Sequence, residues 1–324
     1  MTRRLFEHHP RLGYRYIPGL RARVRHEGGG YLLAANTDGF RSAELAADPT
    51  PGERRVFVFG DSFTAGDGVS DGRRFTDQLQ RRLAQTTVHN FGLPGTGTDQ
   101  HYLAYREFGG PHRHQLLVIA VLVENIRRVA APYRGFLSRG RLAFYPKPYF
   151  TLSDDSGRLA LHNVPVPKAA LDAEELRTAI DGSQLRELTR GFSRSRPVPE
   201  YDDPDGYGWR LLRAVLLAWI ADARAANPHT PILLVPLPLF THVEGDADPG
   251  NYQRRFSELA IATGVAVHDP LPDLRRHPPA ERRAFRFAKD IHPTPAGHRA
   301  LADSLTPAVA RMLDDPPVAA GGLR

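Results

Sequence analysis

The segment Val56-Phe57-Val58-Phe59 is a short, β-branched and aromatic run that stops at once in Gly60-Asp61-Ser62. A run this short, closed by glycine, is a fully buried central strand rather than a helix. In an open α/β sheet the ligand crevice lies just outside the carboxyl ends of the strands. A serine released at such a tip faces the crevice and not the core, which makes Ser62 a candidate nucleophile. Chemistry at a serine also needs a base and donors for a developing oxyanion.

The rest of the chain alternates in the way a parallel sheet requires. A helical stretch at 73–85 carries Phe75, Leu79 and Leu83 at four-residue spacing, and a short strand at 87–91 leads into the glycine-rich turn 92–98. A helix at 98–108, the very apolar strand 116–122, a helix at 207–226, a strand at 232–235, a helix at 250–263, a strand at 265–268 and a last helix at 295–313 follow. Strands alternating with helices predict a sheet covered on both faces. Residues 1–50 are broken by Pro18-Gly19, Gly28-Gly29-Gly30 and Asn36-Thr37-Asp38-Gly39, which predicts a β-rich N-terminal extension packed on a main domain spanning 51–313. Between 126 and 205 the alternation pauses. A hairpin at 148–162 turning through Asp154-Asp155-Ser156-Gly157, an acidic helix from Leu171 to Ile180 and a polar, mobile Ser193–Asp205 make this an insertion that roofs the site as a lid. The tail 314–324 is expected to be disordered.

Composition narrows the chemistry. The 324 residues contain no cysteine, so disulfides, thiol nucleophiles and thiolate metal sites are excluded. The net charge of +7 comes almost wholly from arginines scattered along the chain, and no zinc-finger or RNP motif is present, so no nucleic-acid partner is expected. The first ten residues have no apolar core of a signal peptide, and no segment is long enough to span a bilayer; the expectation is a soluble, cytoplasmic protein.

Familiar loops fail on spacing. Gly60 to Gly66 encloses five residues where a phosphate loop has four, and Asp67 stands where that loop has lysine. The nucleophile elbow G-x-S-x-G fails because Thr64 follows Ser62 by two. The zinc motif H-E-x-x-H is absent.

Gly60-Asp61-Ser62-Phe63-Thr64 resembles the first block of the SGNH (GDSL) hydrolases, in which the serine is the nucleophile. Asn90-Phe91-Gly92-Leu93-Pro94-Gly95 is similar to the second block, Asn125 past the third strand to the third, and Asp290-Ile291-His292-Pro293 to the block carrying acid and base. The blocks occur in family order, over roughly 54–125 and 207–313. The resemblance implies a flavodoxin-like three-layer α/β/α sandwich and a serine esterase with Ser62, Asp290 and His292 as catalytic residues. It implies an oxyanion hole from the Ser62 and Gly95 N–H groups and the Asn125 amide. It also implies an acyl-Ser62 intermediate and no metal or organic cofactor. The expected substrate is an O-acyl ester of a carbohydrate or small biosynthetic intermediate, with O-acyl transfer and a catalytically silent binding protein as the alternatives.

Two departures mark this chain. The third block reads Val123-Glu124-Asn125-Ile126 where the family usually has Gly-x-Asn-Asp, and Asp290 stands two residues before His292 where the family usually has three. The Asp-x-His spacing resembles a branch that includes polysaccharide O-acetylation proteins. Asp269 and Asp273 are alternatives to Asp290, and His298 to His292. Ser62 has a bland alternative as a helix N-cap, Asp61 as a turn residue, and Trp209 and Trp219 as core, while Arg127 and Arg128 read either as contacts for an anionic substrate or as solvated cations.

Overall fold

The computed structural model describes residues 5–138, 141–153, 157–179 and 198–315. The N-terminal region forms two hairpins, β1 (Phe6–His9) with β2 (Gly13–Tyr16) and β3 (Arg21–Val24) with β4 (Tyr31–Ala34). Their apolar side chains, Leu12, Tyr16, Tyr31 and Leu33 among them, belong to the same core as the main sheet.

That sheet contains β5 (Arg54–Gly60), β6 (Thr86–Gly92), β7 (Leu116–Leu122), and, after an insertion, β12 (Ile232–Leu237) and β13 (Ala266–Val267). The insertion supplies β8 (Tyr133–Ser138) paired with β9 (Arg141–Pro146), and β10 (Tyr149–Leu152) paired with β11 (Leu159–His162). The five main strands lie in the order β6-β5-β7-β12-β13, parallel throughout. In order of appearance this is 2-1-3-4-5, the flavodoxin-like winding, whose switch point falls between the first and third strands, here β5 and β7. Every residue of β7 is buried, as its unbroken apolar sequence requires of a strand covered on both faces.

Helix Phe75–Arg82 packs against helix Pro295–Asp314, and helix Thr98–Ala104 against helix Tyr207–Ala226. Trp209 and Trp219 are core residues, 2% and 0% exposed, and Trp209 lies 6.2 Å from Phe256 of helix Gly250–Thr263. Several boundaries differ from the periodicity. The 98–108 helix is α-helical only to Ala104 and continues as a wider turn, Tyr105–Gly109, while the 265–268 strand shrinks to the two residues that pair at the sheet edge. The β8–β9 hairpin was not legible, because Gly135 and Ala143 interrupt its alternation. The described part of the Ser193–Asp205 run is anchored: Tyr201 is fully buried and its hydroxyl donates to the Val123 carbonyl at 3.0 Å. The turn 154–156, Ile180 and the tail 316–324 lie outside the described residues. Among the described residues no helix is long and apolar enough to cross a membrane.

His298 joins two of these layers. It is fully buried on helix Pro295–Asp314, its Nδ1 accepts the Phe75 N–H at 3.2 Å, and its Nε2 has no partner among the described residues. Burial lowers its pKa from 6.5 to about 3. A depressed folded-state pKa contributes stability that is present above the unfolded value and is lost as pH falls towards the folded one, here from about 6.5 to about 3. His298→Asn keeps an acceptor for Phe75 but cannot titrate. Its melting temperature is expected to fall less than that of wild type between pH 7 and pH 4.5; equal falls would remove His298 from the acid response.

Candidate active site

The site begins with a close backbone approach. Gly60 and Gly92 face each other at the tips of β5 and β6, and the short helix Ser62–Ala65 lies directly on them. A Cβ at Gly92 would stand 2.3 Å from the Ala65 nitrogen, and one at Gly60 would stand 2.1 Å from Thr64 Oγ1, so any side chain there would push the serine turn off the sheet. Asp61 caps this turn, its Oδ1 accepting the Phe63 N–H at 3.0 Å. The capping role is therefore taken by Asp61, and Ser62 occupies the first helical position, where the N–H has no intrahelical acceptor. Among the described residues the Ser62 hydroxyl has no hydrogen-bond partner.

Asp61 Oδ2 accepts from Arg128 Nη1 at 2.8 Å, and the same nitrogen reaches the Thr96 carbonyl at 3.2 Å. Burial raises the Asp61 pKa and the Arg128 charge opposes that shift. Of the two readings of Arg127 and Arg128, anionic-substrate contacts or solvated cations, the solvated one is overturned. Both are buried, and Arg127 grips Glu200 through Nε at 2.7 Å and Nη2 at 3.1 Å. Their positions on helix Ile126–Val129, just past the sheet, turn them inward to carboxylates that only the fold brings near.

The turn held by Thr96 contains Gly95, at φ +75°, in the left-handed region that favours glycine. Its N–H has no acceptor among the described residues. A Cβ there would meet the Tyr14 hydroxyl at 3.0 Å and the Phe136 ring at 3.1 Å, so the N-terminal extension and the β8–β9 hairpin both close over this turn. Asn125 ends the 3-10 turn Val123–Asn125 after β7; it is fully buried, and both atoms of its amide are without a partner among the described residues. An unsatisfied buried amide costs about 1–3 kcal/mol, so it is held there against its own preference.

Across the strand tips, Asp290 Oδ1 bonds His292 Nδ1 at 2.5 Å and also accepts the His292 N–H at 3.2 Å. The His292 ring lies 5.8 Å from that of Phe63, the residue after Ser62. Ser62 Oγ and His292 Nε2 do not hydrogen-bond each other, and such contacts commonly tighten only around substrate. Burial works to lower the His292 pKa, but the Asp290 hydrogen bond and the charges of Asp67, Asp290 and Asp61 outweigh it, and the net shift is upward. Burial pushes Asp290 up, yet His292 and the His26 hydrogen bond hold it well below the usual carboxylate range.

His26 is the residue that sequence reasoning missed. Its Nδ1 accepts the Gly28 N–H at 3.3 Å, which leaves Nε2 to carry the proton and donate to Asp290 Oδ2 at 3.0 Å. Glu27 beside it accepts the Lys289 and Asp290 N–H groups, the latter at 2.7 Å. The only local signal was the Gly28-Gly29-Gly30 turn, which says nothing of a partner 264 residues away. The alternative residues are occupied elsewhere. Asp269 bonds Gln253 Nε2 at 2.6 Å, Asp273 bonds Ser304 Oγ at 2.7 Å, and His298 is the buried brace described above. Among the described residues no group of three or more His, Asp or Glu side chains is placed to hold a metal ion.

No family model and no curated protein matches the chain. Among solved structures it is similar to a member of the lipolytic protein G-D-S-L family from Veillonella parvula, at 13% identity and a TM-score of 0.42 over 80% of this chain and 99% of that one. It is also similar to a lipase/acylhydrolase from Enterococcus faecalis, at 15% identity and TM-score 0.44 over 79% and 95%. A third, TesA, has 16% identity and TM-score 0.45 over 79% and 98%. With values this low, the reading of the site rests on the chain's own geometry.

Removing one member of a buried ion pair leaves the other charge uncompensated. Asp61→Ala is expected to cost about 3–5 kcal/mol in denaturant unfolding. The double change Asp61→Asn with Arg128→Met should lose clearly less than the sum of its single changes; full additivity would show that the two side chains are energetically independent.

Proposed function

We propose that the protein is an SGNH-type serine esterase that hydrolyses an O-acyl ester through an acyl-Ser62 intermediate. The observation that carries this reading is the short Asp290–His292 bond, with the other imidazole nitrogen unpartnered beside the Ser62 turn. In the proposed reaction His292 Nε2 takes the hydroxyl proton as Ser62 Oγ bonds to the ester carbonyl carbon. The oxyanion accepts from the Ser62 and Gly95 N–H groups and the Asn125 amide, each such donor being worth about 3–4 kcal/mol of barrier. Collapse breaks the bond to the alcohol oxygen, which leaves with the proton from His292. Water then repeats the sequence on the acyl-enzyme and restores Ser62. Asp290 holds the imidazole tautomer and stabilises the imidazolium without itself being protonated.

The unpartnered state of the Ser62 and Gly95 N–H groups and of the Asn125 amide supports the oxyanion assignment, since each is a donor kept free of internal acceptors. The β8–β9 hairpin and Tyr14 act as the roof of the site. Such a roof favours an acylated carbohydrate or small biosynthetic intermediate over a long-chain lipid.

Ser62→Ala is expected to abolish both turnover of short aryl esters and labelling by a fluorophosphonate, while the circular dichroism spectrum stays that of wild type. Retained turnover would sink the mechanism.

A general base must be neutral to act. The upward shift of His292 therefore places the acid limb of kcat/KM above the ordinary imidazole value of about 6.5. His26 works on that limb through Asp290 as a positioning residue. His26→Ala should lower kcat about tenfold or more with little change in KM and should move the limb, whereas His26→Gln, which keeps a donor, should recover part of the rate. An unmoved limb and unchanged kcat in His26→Ala would confine His26 to a structural role.

A further inference from the structure

Arg134 is a cation that the proposed mechanism does not use. It lies on β8, two residues before Phe136, so both side chains project from the same face of the strand. Phe136 stands over Gly95 and packs edge-on to Tyr14 at 5.9 Å, which places that face above the strand tips. Arg134 feels the charges of Arg128, Glu124 and Asp61 and the Tyr14 hydroxyl, all within the roofed site.

The nearby carboxylates face Arg128 instead. Asp61 accepts from the Phe63 N–H and from Arg128, and Glu124 lies 3.7 Å from Arg128 Nη2; the Tyr14 hydroxyl points its proton at the Pro94 carbonyl, 2.5 Å away. Among the described residues Arg134 has no hydrogen bond and no ion pair; its Nε is sealed from solvent, while the residue as a whole is half-buried. Burial and the neighbouring Arg128 lower its pKa to about 10, so it stays cationic at neutral pH. A charged fork with no internal acceptor, partly desolvated and partly exposed, is a group missing its counterion.

We propose that Arg134 binds an anionic oxyacid group, a carboxylate or a phosphate, carried by the substrate ester, so that the site selects anionic esters over neutral ones. This rests on the esterase reading for its catalytic consequence, though not for anion binding itself. The fork geometry of guanidinium suits two-point recognition of either oxyacid, which an ammonium does not reproduce.

Two measurements test this. Calorimetric titration with benzoate, phenyl phosphate and neutral benzamide reads the site without turnover, and the two anions distinguish carboxylate from phosphate. At least one anion should bind wild type about tenfold or more tightly than benzamide. Arg134→Gln should bring that preference close to unity, with Arg134→Lys between them. Hydrolysis of 4-acetoxybenzoate against its methyl ester, each scaled to its rate in base, reads the same preference in kcat/KM. It should fall about tenfold in Arg134→Gln, chiefly through KM.

A preference that survives Arg134→Gln, or its absence from wild type, overturns the proposal. Turnover of both esters without anion preference overturns it while leaving the esterase reading intact. Arg134-dependent anion binding with no turnover of either ester supports the anion site and counts against the esterase. Should Arg134→Gln fail to fold, Arg134→Lys carries both comparisons, with the same preference as wild type being the overturning result.

Discussion

The buried pair of Asp61 and Arg128 ties together the ends of three adjacent strands. Asp61 follows β5 and caps the serine turn, Arg128 follows β7, and the Thr96 carbonyl that Arg128 also holds belongs to the turn after β6. Neither charge reaches bulk water, so each is stable only in the other's presence. The Ser62 turn, the Gly95 turn and the Asn125 segment therefore share one electrostatic anchor. The switch point between β5 and β7 is where a doubly wound sheet opens a crevice, and the pair sits at that opening.

A second clamp comes from the opposite end of the chain. The β3–β4 hairpin brings His26 and Glu27 against the 289–292 loop, where His26 shares the Asp290 carboxylate with His292 and Glu27 holds the Lys289 and Asp290 backbone. The shortened Asp-x-His spacing makes this meaningful. With one intervening residue, Asp290 bonds both the ring and the N–H of His292, and the Phe287 N–H donates to the His292 carbonyl at 3.2 Å. Contacts from the N-terminal hairpin hold the other side of the carboxylate and the backbone before it. In the proposed mechanism the extension is thus part of the catalytic support as well as a cover.

The legibility of the chain follows from how local each feature is. The central strands were readable because a strand buried on both faces must be apolar, as β7 is throughout and β5 is over Val56–Phe59. Helix Tyr207–Ala226 was readable from its repeating apolar face, and its two tryptophans are core as that repeat implies. The β8–β9 hairpin was not, since Gly135 and Ala143 blunt its alternation and its pairing is set by what it covers. The solvated reading of Arg127 and Arg128 fails because an arginine's sequence neighbours do not reveal a carboxylate brought in from Glu200 or Asp61.

The sequence by itself determined the order of strands and helices, the glycines that let a serine turn lie on the sheet, and the identity of the candidate site residues. These depend on short-range requirements: periodicity, the absence of a Cβ, and motif blocks only a few residues long. Tertiary structure alone decided that Asp61 meets Arg128 and that Asp269 and Asp273 are taken up by Gln253 and Ser304. It also brought His26 to the acid and left Arg134 without a counterion. Those outcomes turn on which buried donors and acceptors meet across tens or hundreds of residues, and no local pattern encodes a distance of that kind.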